Sequence, residues 1–174
     1  MKNFSLAKKL VFAALFATLC AVGTLVITIP LPFGYFNLGD AFVLLAAWLL
    51  GPIYGAAAAA VGCALADIIA GFSIYAPATF LIKGLDAVLA YFVFRALCKP
   101  MQKTKWLACA IAAFVGELLM VFGYFLFECC LYGLAGGVAT LIGNGLQGGV
   151  SVLLSVSLYT LLSRNKTIRN TFID

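Results

Sequence analysis

Residues 10–29 carry no charged side chain, and apolar runs of similar length recur down the chain. Such a run matches the ~20 residues that a helix needs to cross a hydrocarbon layer about 30 Å thick. Lipid offers the backbone no hydrogen-bond partner, so an isolated segment there closes its own bonds as a helix. Of the 174 residues, 65% are apolar and 10% charged, against about 25% charged in soluble domains. The chain therefore reads as an all-α integral membrane protein. Its length accommodates about six spans of roughly 20 residues with short loops. Residues 1–174 are thus expected to form a single membrane domain, a bundle of six transmembrane helices.

Turn residues place the spans. Pro30 and Pro32 close the first, Gly51-Pro52 separates the second from the third, and residues 71–77 form an uncharged turn. Residues 99–105 are the most polar segment, and Gly133, Gly136 and Gly137 mark the last turn. The predicted spans are 6–29, 38–50, 53–69, 78–97, 106–127 and 138–162. The basic N-terminus followed by an apolar run imitates a signal peptide. However, the run exceeds the usual apolar core of about 7–15 residues, so it is read as an uncleaved span. Gly55, Ala56, Ala59, Ala60, Gly62, Cys63 and Ala66 give the third span a small-residue face, which lets helices approach closely.

Charge orients the bundle. Lys2, Lys8 and Lys9 precede the first span; Arg95, Lys99, Lys103 and Lys105 lie around the fourth turn; Arg164, Lys166 and Arg169 follow the last span. The turns after spans one, three and five contain no Lys or Arg. By the positive-inside rule both termini are cytoplasmic.

With that orientation the intramembrane polar groups gather in the outer half. Asp40 and Asp67 lie near the outer ends of spans two and three, and Glu128 at the outer end of span five. Lys83 and Asp86 share a face of span four at i, i+3, as Asn144 and Gln147 do on span six. Glu117 is near the middle of span five. An ionisable group in hydrocarbon is costly and is normally retained for a site or a partner. The cytoplasmic half is filled with Leu, Val, Ala and Phe. This pattern describes a pocket open to the outside and closed below; a pore would need polar lining throughout. Each group also admits a structural role. Lys83 would pair with Asp86 or Glu117, Asp40 and Asp67 would cap helices or meet headgroups, and Asn144 and Gln147 would bond between helices. Their convergence at one depth favours binding.

Phe33, Tyr35, Phe36, Phe72, Tyr75, Tyr124 and Tyr132 lie at the same level, as pocket walls or as an interfacial aromatic belt. Residues 31–37, aromatic and bounded by proline, suit a lid. The candidate substrate-binding residues are Tyr35, Asn37, Asp40, Asp67, Tyr75, Lys83, Asp86, Glu117, Asn144 and Gln147. Lys83 among acids and amides suits a small neutral or zwitterionic heterocycle. The six cysteines form no CxxC pair and there is no histidine, so neither a zinc nor a haem site is expected.

Several local sequences resemble one family: Asn37-Leu-Gly-Asp40, Gly51-Pro-Ile-Tyr-Gly55, Leu65-Ala-Asp67 with Gly71, and Ala76-Pro-Ala-Thr-Phe-Leu-Ile-Lys83-Gly84. The chain resembles the substrate-binding S component of an energy-coupling-factor (ECF) vitamin transporter, in the riboflavin, pyridoxine and hydroxymethylpyrimidine branch. The resemblance covers essentially the whole chain and is more specific in the first four spans. It implies capture of a vitamin or precursor near the outer face. It also implies docking on a module of a transmembrane T component and two ATPases, in the bacterial plasma membrane. Docking in that family is similar to what an A-x-x-x-A patch supports, and Ala13, Ala17 and Ala21 supply that spacing in the first span. The chain has no G-x-x-x-x-G-K-[ST], so ATP would be used by the partners and no cofactor is expected here.

Two other classes compete. An autonomous secondary transporter would use the carboxylates as proton relays, but the chain lacks an obvious inverted repeat. An intramembrane enzyme has no histidine for Ser-His or HExxH chemistry, which leaves only Asp40 facing Asp67.

Overall fold

The structure, a computed structural model, describes residues 4–30 and 35–173. Helix α1 (Leu6–Val26) is followed by two short antiparallel strands, β1 (Ile29–Pro30) and β2 (Tyr35–Phe36). Then come α2 (Gly39–Leu50), α3 (Pro52–Ile69), α4 (Ala76–Cys98) and α5 (Lys105–Arg164). A helical turn, α6 (Lys166–Ile168), opens on Asn165, whose Oδ1 accepts from the backbone of Thr167 at 2.9 Å, and a π-helical turn (Arg169–Ile173) follows it. Phe33 and most of the proposed lid lie outside the described residues, as does Lys2.

Ser5 starts α1 by accepting from the Lys8 amide through its side chain. The helix stops at Val26, short of the expected end at residue 29, and Ile27 is already extended (φ −116°, ψ 93°). Ile29 precedes a proline, which disfavours the helical region there, and its backbone joins β1 instead. Helix α4 starts earlier than expected, at Ala76, because Pro77 fits the first helical turn, where no amide donor is needed.

Helix α2 has 12 residues, about 18 Å of helix, too short for a hydrocarbon layer of about 30 Å. It does not need to cross alone: α1, α3, α4 and α5 all pack on it, and every residue except Phe42 is buried. It folds back at Gly51 into the 18-residue α3. From their shared turn, α3 therefore extends roughly 9 Å beyond the far end of α2. That difference in length leaves a recess above α2.

Helix α5 is nominally 60 residues, but Gly133 inside it has φ 75° and ψ 176°. Only glycine takes this backbone without strain. Around it the chain doubles back: Glu128 accepts from the Thr140 hydroxyl and from Asn144. Further along, a Cβ on Gly148 would stand 3.1 Å from Cβ of Glu117. The two arms are therefore antiparallel. The turn is tighter than the sequence suggests, since the helix continues to Tyr132 and resumes directly, leaving Gly136 and Gly137 helical. Phe114, Leu118, Phe122 and Leu126 form an exposed i, i+4 stripe on the first arm, as a lipid-facing surface requires.

Phe172 packs on Phe4 and Phe12 with ring centroids 5.8 and 5.0 Å away, so the two ends of the described chain meet. At the same end Lys9 lies 5.8 Å over the ring of Tyr54, and Trp48, Phe94 and Tyr159 close a mutual aromatic cluster. Lys99, Lys103, Lys105 and Arg164 also fall at these helix ends. One end is basic and sealed by aromatic packing; the recess is at the other.

Candidate functional site

The recess is a small, open-mouthed cavity of about 40 Å³. It is lined by Tyr35, Asn37, Asp67, Phe72, Tyr75, Thr79, Tyr124, Glu128, Asn144 and Gln147. Aromatic rings make one wall: Tyr35 lies 4.9 Å from Phe72, Phe72 6.3 Å from Tyr75, and Tyr75 5.3 Å from Phe127. Strand β2 carries Tyr35, whose hydroxyl donates to Asp67 Oδ1 at 2.7 Å. Burial, then the hydrogen bond to that carboxylate, pushes the Tyr35 pKa well above its ordinary value, so the hydroxyl remains a donor.

The floor is a chain of hydrogen bonds. Asn37 Oδ1 accepts from the Gly39 amide at 2.9 Å, which ties down the first turn of α2. Gln147 Oε1 accepts from the Asn37 amide at 2.9 Å and from its Nδ2 at 3.2 Å. The other end of Gln147, Nε2, donates to Asp40 Oδ2 at 2.7 Å. Asp40 Oδ1 is ion-paired to Lys83. On the side, Thr79 and Tyr124 hydroxyls share a 2.8 Å hydrogen bond, and Glu128 Oε2 accepts from Thr140 and Asn144.

Of the sequence-derived candidates, Tyr35, Asn37, Asp67, Tyr75, Asn144 and Gln147 line this cavity. Asp40, Lys83, Asp86 and Glu117 do not; they are buried below it. Lys83 pairs across helices with Asp40, rather than with Asp86 or Glu117, and its Nζ lies 5.2 Å from the Tyr124 ring centroid, behind the wall. Asp40 and Asp67 are not headgroup contacts, since they are 0% and 6% exposed. They do not act as a facing pair either, because each bonds elsewhere. Asp86 and Glu117 carry carboxylate oxygens without a hydrogen bond among the described residues. Thr79 was not a candidate from sequence, yet it is four residues before Lys83 on the same buried face of α4, a spacing that marks it. Among the described residues no cluster of His, Cys, Asp and Glu is arranged to hold a metal.

Ala13, Ala17 and Ala21 are half-buried. At Ala17 the spacing already serves the chain itself: a Cβ on Gly62 would come within 2.3 Å of the Ala17 carbonyl oxygen. Small residues there let α1 and α3 touch backbone to backbone.

The family model for the ECF-type riboflavin transporter, S component, matches residues 4–164. The chain belongs to this S-component family. An uncharacterised protein of Pyrococcus woesei, from the gap 3′ region, is 32% identical over 145 residues. The match spans 82% of this chain and 93% of that protein. Members of the family are membrane-embedded transporter subunits for vitamin-type substrates, not enzymes.

Proposed function

We propose that this S component is the high-affinity capture subunit of an ATP-driven ECF importer. It binds a small water-soluble vitamin or precursor, of the pyridoxine, hydroxymethylpyrimidine or riboflavin type, in the cavity above α2. Counting the two arms of α5 separately and the short α2 buried among its neighbours, six helices lie in the membrane. Both termini are cytoplasmic and the cavity is in the outer half, a reading supported by the basic residues at the sealed end. A T component and two ATPase subunits supply the energy, and this chain carries no cofactor of its own.

The observation that carries this reading is the cavity itself, aromatic on one side and set with placed polar groups on the others, the usual make-up of a small-molecule site. The test is ligand identification on the purified full chain: denaturation, extraction and mass spectrometry, alongside a thermal-shift panel of B vitamins and precursors. A co-purifying heterocycle that also raises the melting temperature is the expected result. Absence of both would refute capture. Uptake persisting without the ATPase partners would instead favour an autonomous transporter.

A further inference from the structure

We propose that the captured ring is cationic or rich in N–H and O–H donors, an aromatic amine type of heterocycle, and that its carboxylated or phosphorylated relatives are rejected. This rests on the capture reading and narrows its substrate class. Among the described residues the cavity presents two acidic side chains, Asp67 and Glu128, and its lining includes no Lys or Arg. Lys83, the nearby cation, is 2% exposed, paired to Asp40 and screened by the Tyr124 ring. It has no reach into the cavity to receive an anion.

The hydrogen bonds point the same way. Several donors around the site are already turned inward: Tyr35 to Asp67, Gln147 to Asp40, Asn37 to Gln147 and Asn144 to Glu128. Glu128 Oε2 accepts from two donors and Asp67 Oδ1 from one. Asp67 Oδ2 remains without a partner among the described residues, although Asp67 is buried. A buried acceptor left unpaired is costly, so a ligand N–H or O–H placed there gains a strong hydrogen bond. Rings of Tyr35, Phe72, Tyr75 and Tyr124 favour a flat partner and, by their negative faces, a positively charged one. A phosphate or carboxylate would instead meet two acidic side chains and no lining cation to receive it, which is how a site discriminates against a partner.

The test compares rings that differ at one substituent, and through it in charge, using the purified full chain. One series is pyridoxamine, pyridoxine and 4-pyridoxate; the other is hydroxymethylpyrimidine and its phosphate. Titration calorimetry should show the amine or donor-rich member binding at least about tenfold more tightly than the anionic member of its series. Asp67→Asn should erase most of that preference, with Glu128→Gln as the second variant if the first does not fold. An anionic member that binds as tightly overturns the inference while leaving capture intact. If neither series binds, the ligand recovered by mass spectrometry decides. A cationic or donor-rich one supports the inference, an anionic or donor-free one overturns it, and no ligand at all overturns capture as well.

Discussion

Gln147 Nε2 stands 2.7 Å from Asp40 Oδ2, and this contact joins the cavity lining to the buried ion pair beneath it. Gln147 comes from the second arm of α5 and Asp40 from the first turn of α2, so one amide fixes both the floor and the helix that makes the recess. Gln147→Ala leaves Asp40 Oδ2 and the Asn37 N–H groups without this partner, while Asp40 Oδ1 keeps Lys83. A buried polar group so stranded costs about 1–3 kcal/mol. The expected outcome is a lower melting temperature together with weakened binding of the co-purified ligand, measured by thermal unfolding with and without it.

The Asp40–Lys83 pair is fully buried between α2 and α4. Removing one partner of such a pair is expected to cost about 3–5 kcal/mol, whereas replacing both by apolar residues of similar size is far less damaging. Lys83→Met and Asp40→Leu should each be severely destabilised in detergent, and the double variant should recover much of the loss. Additive damage in the double variant would mean that the pair is not the source.

Gly133 holds the hairpin of α5 with φ 75°. A side chain in this region is strained by about 1–3 kcal/mol. Gly133→Val should lower thermal stability and loosen the Glu128–Thr140 contact across the hairpin. Protease sensitivity at the turn reports the loosening; an unchanged digestion pattern and melting temperature would count against this account.

The alanines of α1 should separate by role. Ala17→Leu pushes α1 from α3 at Gly62 and is expected to destabilise the protein by about 1–3 kcal/mol. Ala13→Leu and Ala21→Leu should leave ligand binding intact while weakening co-purification with the T component. Equal loss of stability in all three would assign the whole row to internal packing.

The membrane class, the grouping of polar residues toward one end and the family motifs were all legible in the sequence, because composition, turn residues and local spacing carry them. Lys83 and Asp86 share a helix face in the sequence and share it in the structure. Neither periodicity nor depth, however, says which of several acids Lys83 meets. Helical spacing and depth offered Asp86 or Glu117 as the partner of Lys83 and set Asp40 nearer the outer end, whereas the packing of α2 against α4 selected Asp40. The same holds for Thr79, visible beside Lys83 but placed on the cavity wall only through its bond to Tyr124.

From sequence alone, then, followed the architecture: apolar helices suited to lipid, with polar residues gathered toward one end. Tertiary structure decided what the site contains, by setting the short α2 beneath longer neighbours and by closing α5 on itself at Gly133. The reason is physical. Hydropathy and helical spacing act within one segment, whereas an ion pair or a cavity depends on distances between segments that only packing sets.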